Sequence, residues 1–192
     1  MNPDRFRRVE VTSAGELREW LEHNHAQSDS VWLVTFKKVE ANKYVSREQV
    51  LDELVAFGWI DGVRSQVDEV RTMQLISPRK TKPWAKSYKD RAERLTKENR
   101  MHPAGLASIS EAKENGGWGE MNHVDALEVS PDLEAALELR SPARLHFEDF
   151  PDSVKRNILR WIASAKTEET RMRRVNQTAA EAAVNRTVGS HS

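Results

Sequence analysis

Val31-Trp32-Leu33-Val34-Thr35-Phe36 is short, β-branched and aromatic, and almost free of polar interruptions. A strand with one wet face alternates apolar and polar residues, whereas a near-continuous apolar run of this length reads as a strand covered on both faces. Helical patterns flank it. Upstream, Ser13 and Glu16 have capping-box spacing, and Leu17, Trp20 and Leu21 follow at helical intervals, predicting a helix over roughly 14–24. Downstream, Ser46 and Gln49 repeat the box and open a helix whose apolar set includes Val50, Leu51, Leu54, Val55 and Phe57. Gly58 and the Asp61-Gly62 pair then break that helix and turn the chain.

From Val63 to Ser77 polar and apolar residues mix with a rough period of two, interrupted at Asp68-Glu69, which reads as a hairpin. Arg64 and Gln66 share a face of its first strand and Thr72 and Gln74 a face of its second. Whether these are one face depends on register. Pro78 to Pro83 reads as a loop, followed by helices near 88–100 and 103–114, the second opening with Pro103 in the favoured first turn. Gly116, Gly117 and Gly119 lie in an aperiodic stretch. Beyond it Ser130-Pro131 and Ser141-Pro142 each look like an N-cap with proline at the first helical position, and Asp152 and Thr167 look like further caps. The expected class is α+β: a small mixed or antiparallel sheet with packed helices, then an all-helical C-terminal segment. The expected organisation is an α+β domain over 1–118, a Gly-containing linker over 119–129 and a small helical segment over 130–186 packed on the first, with the final six or so residues frayed.

Composition narrows the chemistry. Six tryptophans among 192 residues, 31% charged residues and 38% hydrophobic ones suit a folded globular chain. The formal net charge of zero argues against nucleic-acid binding through the overall field. With no cysteine there is no disulfide, thiolate metal site or cysteine nucleophile. No apolar run approaches the ~20 residues needed to span a bilayer, and no apolar stretch follows Arg5, Arg7 and Arg8, so membrane insertion and secretion are not expected and a cytoplasmic location is. His23 and His25 are not one helical turn apart and no HExxH occurs, so no metal is expected. GxSxG, Walker A and GxGxxG signatures are missing too, and no cofactor is expected.

The densest local signal runs from Arg71 to Lys89, with Arg71, Arg79, Lys80, Lys82, Lys86 and Lys89, no acid, and Trp84 in its midst. Arginine forks match carboxylate or phosphate, and an indole face stacks on rings and cations. A run of eight acids opposed only by Lys113 follows over Glu111–Glu138, so the two stretches could instead neutralise each other. Asp61, ahead of Arg64, could orient an arginine or act as a base, while an Asp-Gly pair is also ordinary turn chemistry. Lys155, Arg156, Arg160, Lys166, Arg171, Arg173 and Arg174 surround a C-terminal apolar stripe and read first as the solvated face of a docked helix.

Three stretches together carry a family likeness. They are Leu17 to His25 with Val31-Trp32-Leu33 and Lys37-Lys38; Phe57-Gly58-Trp59-Ile60-Asp61-Gly62 with Ser77-Pro78-Arg79, Trp84 and Arg100 to Leu106; and Ile158 to Lys166 leading to Glu169-Thr170-Arg171 and Arg173-Arg174. Over roughly 13–178 this order resembles the bacterial YdeI/OmpD-associated, or bacteriocin-protection, proteins. The resemblance implies a cytosolic protein named for a phenotype rather than a reaction, and no catalytic residue. Trp59, Asp61, Arg79 and Trp84 fall on the family pattern, while Ala85 and Tyr88 depart from it where a small hydroxyl residue and an asparagine are usual.

The leading expectation is a small anionic or aromatic ligand held between the Asp61 turn and the Arg79–Trp84 loop, with Arg64 and Arg79 on the anion, Trp59 and Trp84 as walls, and Asp61 orienting Arg64 or accepting a proton. The alternative is a module that binds nucleic acid or an acidic protein through its basic segments. A third reading is an interaction protein whose helical segment is the partner surface.

Overall fold

The computed structural model describes residues 6–80 and 83–188. Arg5 and Lys82, two of the basic residues noted above, and the last four residues lie outside it. The chain divides into two compact units, residues 1–120 and 121–192.

The first unit is built on a four-stranded mixed sheet in the order β1-β2-β4-β3. β1 (Arg8–Glu10) runs parallel to β2 (Val31–Phe36), α1 (Ala14–Asn24) making the crossover between them. The Ser13 hydroxyl accepts from the Glu16 amide and starts α1 as expected. α2 (Arg47–Ala56) opens with a complete Ser46/Gln49 capping box. It ends at Gly58, whose φ of +73° is a left-handed conformation that glycine adopts without strain. The hairpin is longer than the period-two pattern suggests. β3 (Trp59–Gln66) begins at the tryptophan, and β4 (Arg71–Pro78) pairs with it on one side and with β2 on the other. α3 (Lys86–Lys97) and α4 (Pro103–Glu114) complete the unit.

Val31, Trp32, Leu33, Val34 and Phe36 are all buried, in line with a strand covered on both sides. One sheet face carries Val9, Val31, Leu33, Trp59 and Ile76 into the main core with Leu17, Leu21, Leu54, Val55, Trp84 and Leu95. The other carries Trp32, Val34 and Met73, with Phe6, Val67 and Leu75 packed beside them.

The second unit is helical: α5 (Asn122–Asp125), α6 (Pro131–Glu138), α7 (Ala143–Asp149), α8 (Asp152–Ala163) and α9 (Glu168–Ala183). Its core gathers Val124, Leu133, Leu137, Phe147, Ile158, Leu159, Ile162, Val175 and Ala179. Thr167 caps α9 as its sequence predicts, accepting from the Thr170 amide. Two other caps differ. Pro142 precedes α7 rather than forming its first residue, and Asp152 is the first residue of α8, behind Pro151. Both loops end on a proline, which has no side-chain acceptor, so neither helix start carries a side-chain cap hydrogen bond. The fold is α+β, and no helix among the described residues is long and apolar enough to cross a membrane.

Candidate functional site

Residues paired across an antiparallel ladder share a sheet face. Asp61 lies opposite Ile76, and Arg64 opposite Gln74, so the two residues Gly62 and Val63 stand against Leu75 alone. That is a β-bulge. Asp61 therefore sits inside β3 and not in a turn. The extra residue reverses the inward–outward alternation, so Asp61 and Arg64, three apart, face the same side with Gln74. In a regular strand they would face opposite sides.

These side chains are joined. Arg64 Nη2 donates to Gln74 Oε1 at 2.9 Å, and Gln74 Nε2 donates to Asp61 Oδ2 at 2.7 Å. The Tyr88 hydroxyl, from α3, donates to Asp61 Oδ1. Gln74 is buried, and both ends of its amide are satisfied, which removes the cost that an unpaired buried amide would carry. Arg79 completes the group. Its guanidinium lies 4.1 Å from the Trp84 ring centre and 4.9 Å from that of Tyr88, and its Nη1 donates to Pro83 O at 3.3 Å. Burial pushes the Arg79 pKa down to about 10, opposed by the Asp61 charge, so the cation persists at neutrality.

The two tryptophans are core residues, each 1% exposed. Trp59 donates its indole N–H to His25 O at 3.1 Å and meets Trp20 edge-on. Trp84 packs on Trp118 and on the Arg79 guanidinium, and is tied by its backbone N–H to Gly117 O. Trp84 thus backs the arginine. Arg64 is exposed, and Lys80 is exposed one residue beyond Arg79. The hollow bounded by Arg79, Lys80, Trp84, Ser108, Glu111 and Asn115 has a volume of about 10 Å³, room for one water molecule.

Much of the basic run has local partners. Arg71 pairs with Glu10 and Asp68, holding the Asp68 carboxyl below its ordinary pKa, and Lys86 pairs with Asp90. A second ionic group had no counterpart in the sequence reading. Asp52 and Glu53, buried in the middle of α2, meet four arginines: Arg91, Arg94 and Arg100 on Asp52, and Arg18 and Arg100 on Glu53. Two acids within the apolar stretch Val50–Ala56 were the available signal. His102 caps α4 through Nδ1, which accepts from the Ala104 amide, and its ring stacks on Phe57 and lies 4.7 Å from that of His25. Burial first, then the neighbouring His25 and Arg18, lowers the His102 pKa. Among the described residues no group of three or more His, Asp or Glu is placed to hold a metal ion.

In the second unit two of the C-terminal arginines, Arg171 and Arg174, serve the fold. Arg171 grips Asp132 with two N–H groups, at 2.8 and 2.9 Å, and also reaches Ser130. Arg174 lies over the Trp161 ring, donates to the Trp161 carbonyl and to Ser164 Oγ, and so closes the end of α8. Within Ile158 to Arg174 the joint between α8 and α9 is held by Arg174 and the Thr167 cap, while Arg171 ties α9 to the start of α6.

Two family models match. Residues 9–108, just over half of the chain, match a domain of unknown function, DUF8412, and residues 126–185 match the family described as bacteriocin-protection, YdeI or OmpD-associated. No curated protein and no solved structure matches the chain. The boundary between the matches falls where the two units divide. The chain belongs to the DUF8412 family and carries, in its C-terminal unit, a domain of the YdeI/OmpD-associated, bacteriocin-protection family.

Proposed function

We propose that the chain binds a small anion of the carboxylate or phosphate class beside Asp61, with Arg64 as the exposed donor and Arg79 as the charge behind it. The observation that carries this reading is the hydrogen-bonded series Arg64–Gln74–Asp61–Tyr88, flanked by a cation held between two aromatic rings. Holding Arg79 desolvated costs stability. A fixed cation that keeps its charge at neutrality stabilises an anion more than a solvated one does. Asp61 orients Arg64 through Gln74 and leaves most of its N–H groups for a ligand. Trp59 and Trp84 support from within the core rather than walling the ligand directly.

The test is a thermal-shift and calorimetric screen of the whole chain against inorganic phosphate, sugar phosphates, dicarboxylates and short oligonucleotides, at two salt concentrations. A ligand present at 100 times its Kd adds about 2.7 kcal/mol of stability. The expected result is a salt-tolerant shift from one small anion, lost in Arg64→Ala. Shifts from oligonucleotides alone, vanishing with salt, would replace this reading with nucleic-acid binding, and an Arg64→Ala variant of unchanged affinity removes Arg64 from it. The cellular setting we attach is protection against bacteriocin or related stress, which rests on the family's description, in the cytoplasm that the sequence leads us to expect. A deletion strain as bacteriocin-resistant as its parent would remove that setting.

A further inference from the structure

The second unit holds a cavity of about 440 Å³ between α8, α9 and the residues that follow α9, lined by Val154, Asn157, Ile158, Trp161, Gln177, Thr187 and Val188. That volume is in the range of small-molecule sites. Its walls have an unusual composition for this chain, in which nearly a third of residues are charged. Not one lining residue carries a charge. Val154, Ile158 and Trp161 recur at helical spacing along α8; Ile158 is buried in the core with Leu159 and Ile162, while Val154 and Trp161 pack against that core and stay only half-buried. α8 therefore leaves part of Val154 and Trp161 to line the cavity.

From these walls we infer a binding site for an uncharged, amphipathic small molecule with a planar aromatic body and an amide- or hydroxyl-like edge. An ionised group entering it would lose water and find no opposite charge among the lining residues. Trp161 offers a ring, and Asn157 and Gln177 offer neutral amide donors and acceptors. The ring is held before any ligand arrives, because Arg174 lies 5.0 Å from its centre and binds the residue's own carbonyl. A side chain fixed in advance loses little entropy on binding. This ligand chemistry is opposite to that proposed for Arg64 and Arg79, and the two inferences stand or fall separately.

The experiment compares two fluorescent probes on the whole chain: neutral N-phenyl-1-naphthylamine and anionic 1-anilinonaphthalene-8-sulfonate. The expected result is saturable binding of the neutral probe, at least tenfold tighter than the sulfonate. Val154→Trp, which fills the cavity from a half-buried position, should abolish neutral binding while circular dichroism stays unchanged. Gln177 is exposed, so Gln177→Lys leaves packing alone, and it should strengthen sulfonate binding about tenfold by supplying the missing charge. No saturable neutral binding overturns the inference. So does equal affinity for the two probes, or neutral binding retained in a folded Val154→Trp. If Val154→Trp fails to fold, Gln177→Lys decides: an unchanged preference between the probes overturns the proposal. Probe affinity that falls as protein concentration rises would assign the groove to a second copy of the chain and overturn it equally.

Discussion

Gly105 lies in the first turn of α4, and replacing it with alanine sets two effects of opposite sign against each other. Alanine is the better helix former by about 1 kcal/mol, so propensity alone predicts stabilisation. A Cβ built at Gly105, however, would lie 2.1 Å from Ala56 O, 2.8 Å from Ala56 C and 2.8 Å from Met101 Cε. Two of those atoms are backbone, at the end of α2, and cannot swing aside. α4 would have to retreat by about 1 Å, costing ~1–3 kcal/mol as overpacking does. The same Ala56 carbonyl accepts from the His102 amide at 3.0 Å, so the retreat also stretches that bond, worth ~1 kcal/mol. Sterics win, and the net expectation is a loss of about 2 kcal/mol. That corresponds to a fall of roughly 8 °C in the melting temperature of the 120-residue first unit. Circular dichroism on heating and urea titration measure it, with separate transitions fitted if the two units unfold independently. Gly15→Ala provides the control. Gly15 is exposed in α1 and its nearest neighbour would be Ser13 Oγ at 3.7 Å, so the same substitution there should be neutral or mildly stabilising. Equal effects at both positions, or a rise in melting temperature for Gly105→Ala, would refute the close approach of α4 to α2.

Asp52→Asn should destabilise the first unit by roughly 3 kcal/mol, because it removes the charge that three arginines share at a mostly buried site; a loss below ~1 kcal/mol in urea titration would mean those arginines are simply solvated. His102 has a lowered folded-state pKa, so the folded state favours its neutral form. Its contribution is complete above the unfolded value near 6.5 and is lost as pH falls through the lower folded value. Melting temperature should therefore drop between about pH 7 and 5, less steeply in His102→Asn, which can still cap α4; identical slopes would refute a role for His102. Gln74→Leu should weaken binding of the screened anion about tenfold while leaving Arg64 and Arg79 in place, read by calorimetry. Unchanged affinity would mean that Asp61 does not orient Arg64.

What was legible in the sequence was local. Ser13/Glu16 and Ser46/Gln49 mark two helix starts because a cap is made by residues three apart, and Val31–Phe36 declares its burial by composition alone. β1 was not legible. Three residues are too few to show a period, and Arg8–Glu10 is a strand only because β2 lies beside it after a crossover. Asp61-Gly62 suits a turn and a bulge equally, and only its register against β4 decides between them. The basic run from Arg71 to Lys89 contains no acid, yet its partners Glu10, Asp61, Asp68 and Asp90 lie just outside that window or on other strands of the sheet. The candidate residues near Asp61 could be named from type and position. The part of Gln74 and Tyr88 in joining them could not, since neither stands out until the sheet and α3 bring them to the same carboxylate.

The bulge at Gly62 and Val63 makes spacing itself a carrier of information. Asp61 and Arg64 cooperate only with an intervening pair, so a relative that lost a single residue there would retain both side chains while turning its arginine to the far side of the sheet. Its composition would look unaltered and its charge would be the same. Among relatives, Asp-x-x-Arg opposite a glutamine is therefore the signature to seek, and a one-residue deletion mutant is a way to disconnect the site without removing any atom of it.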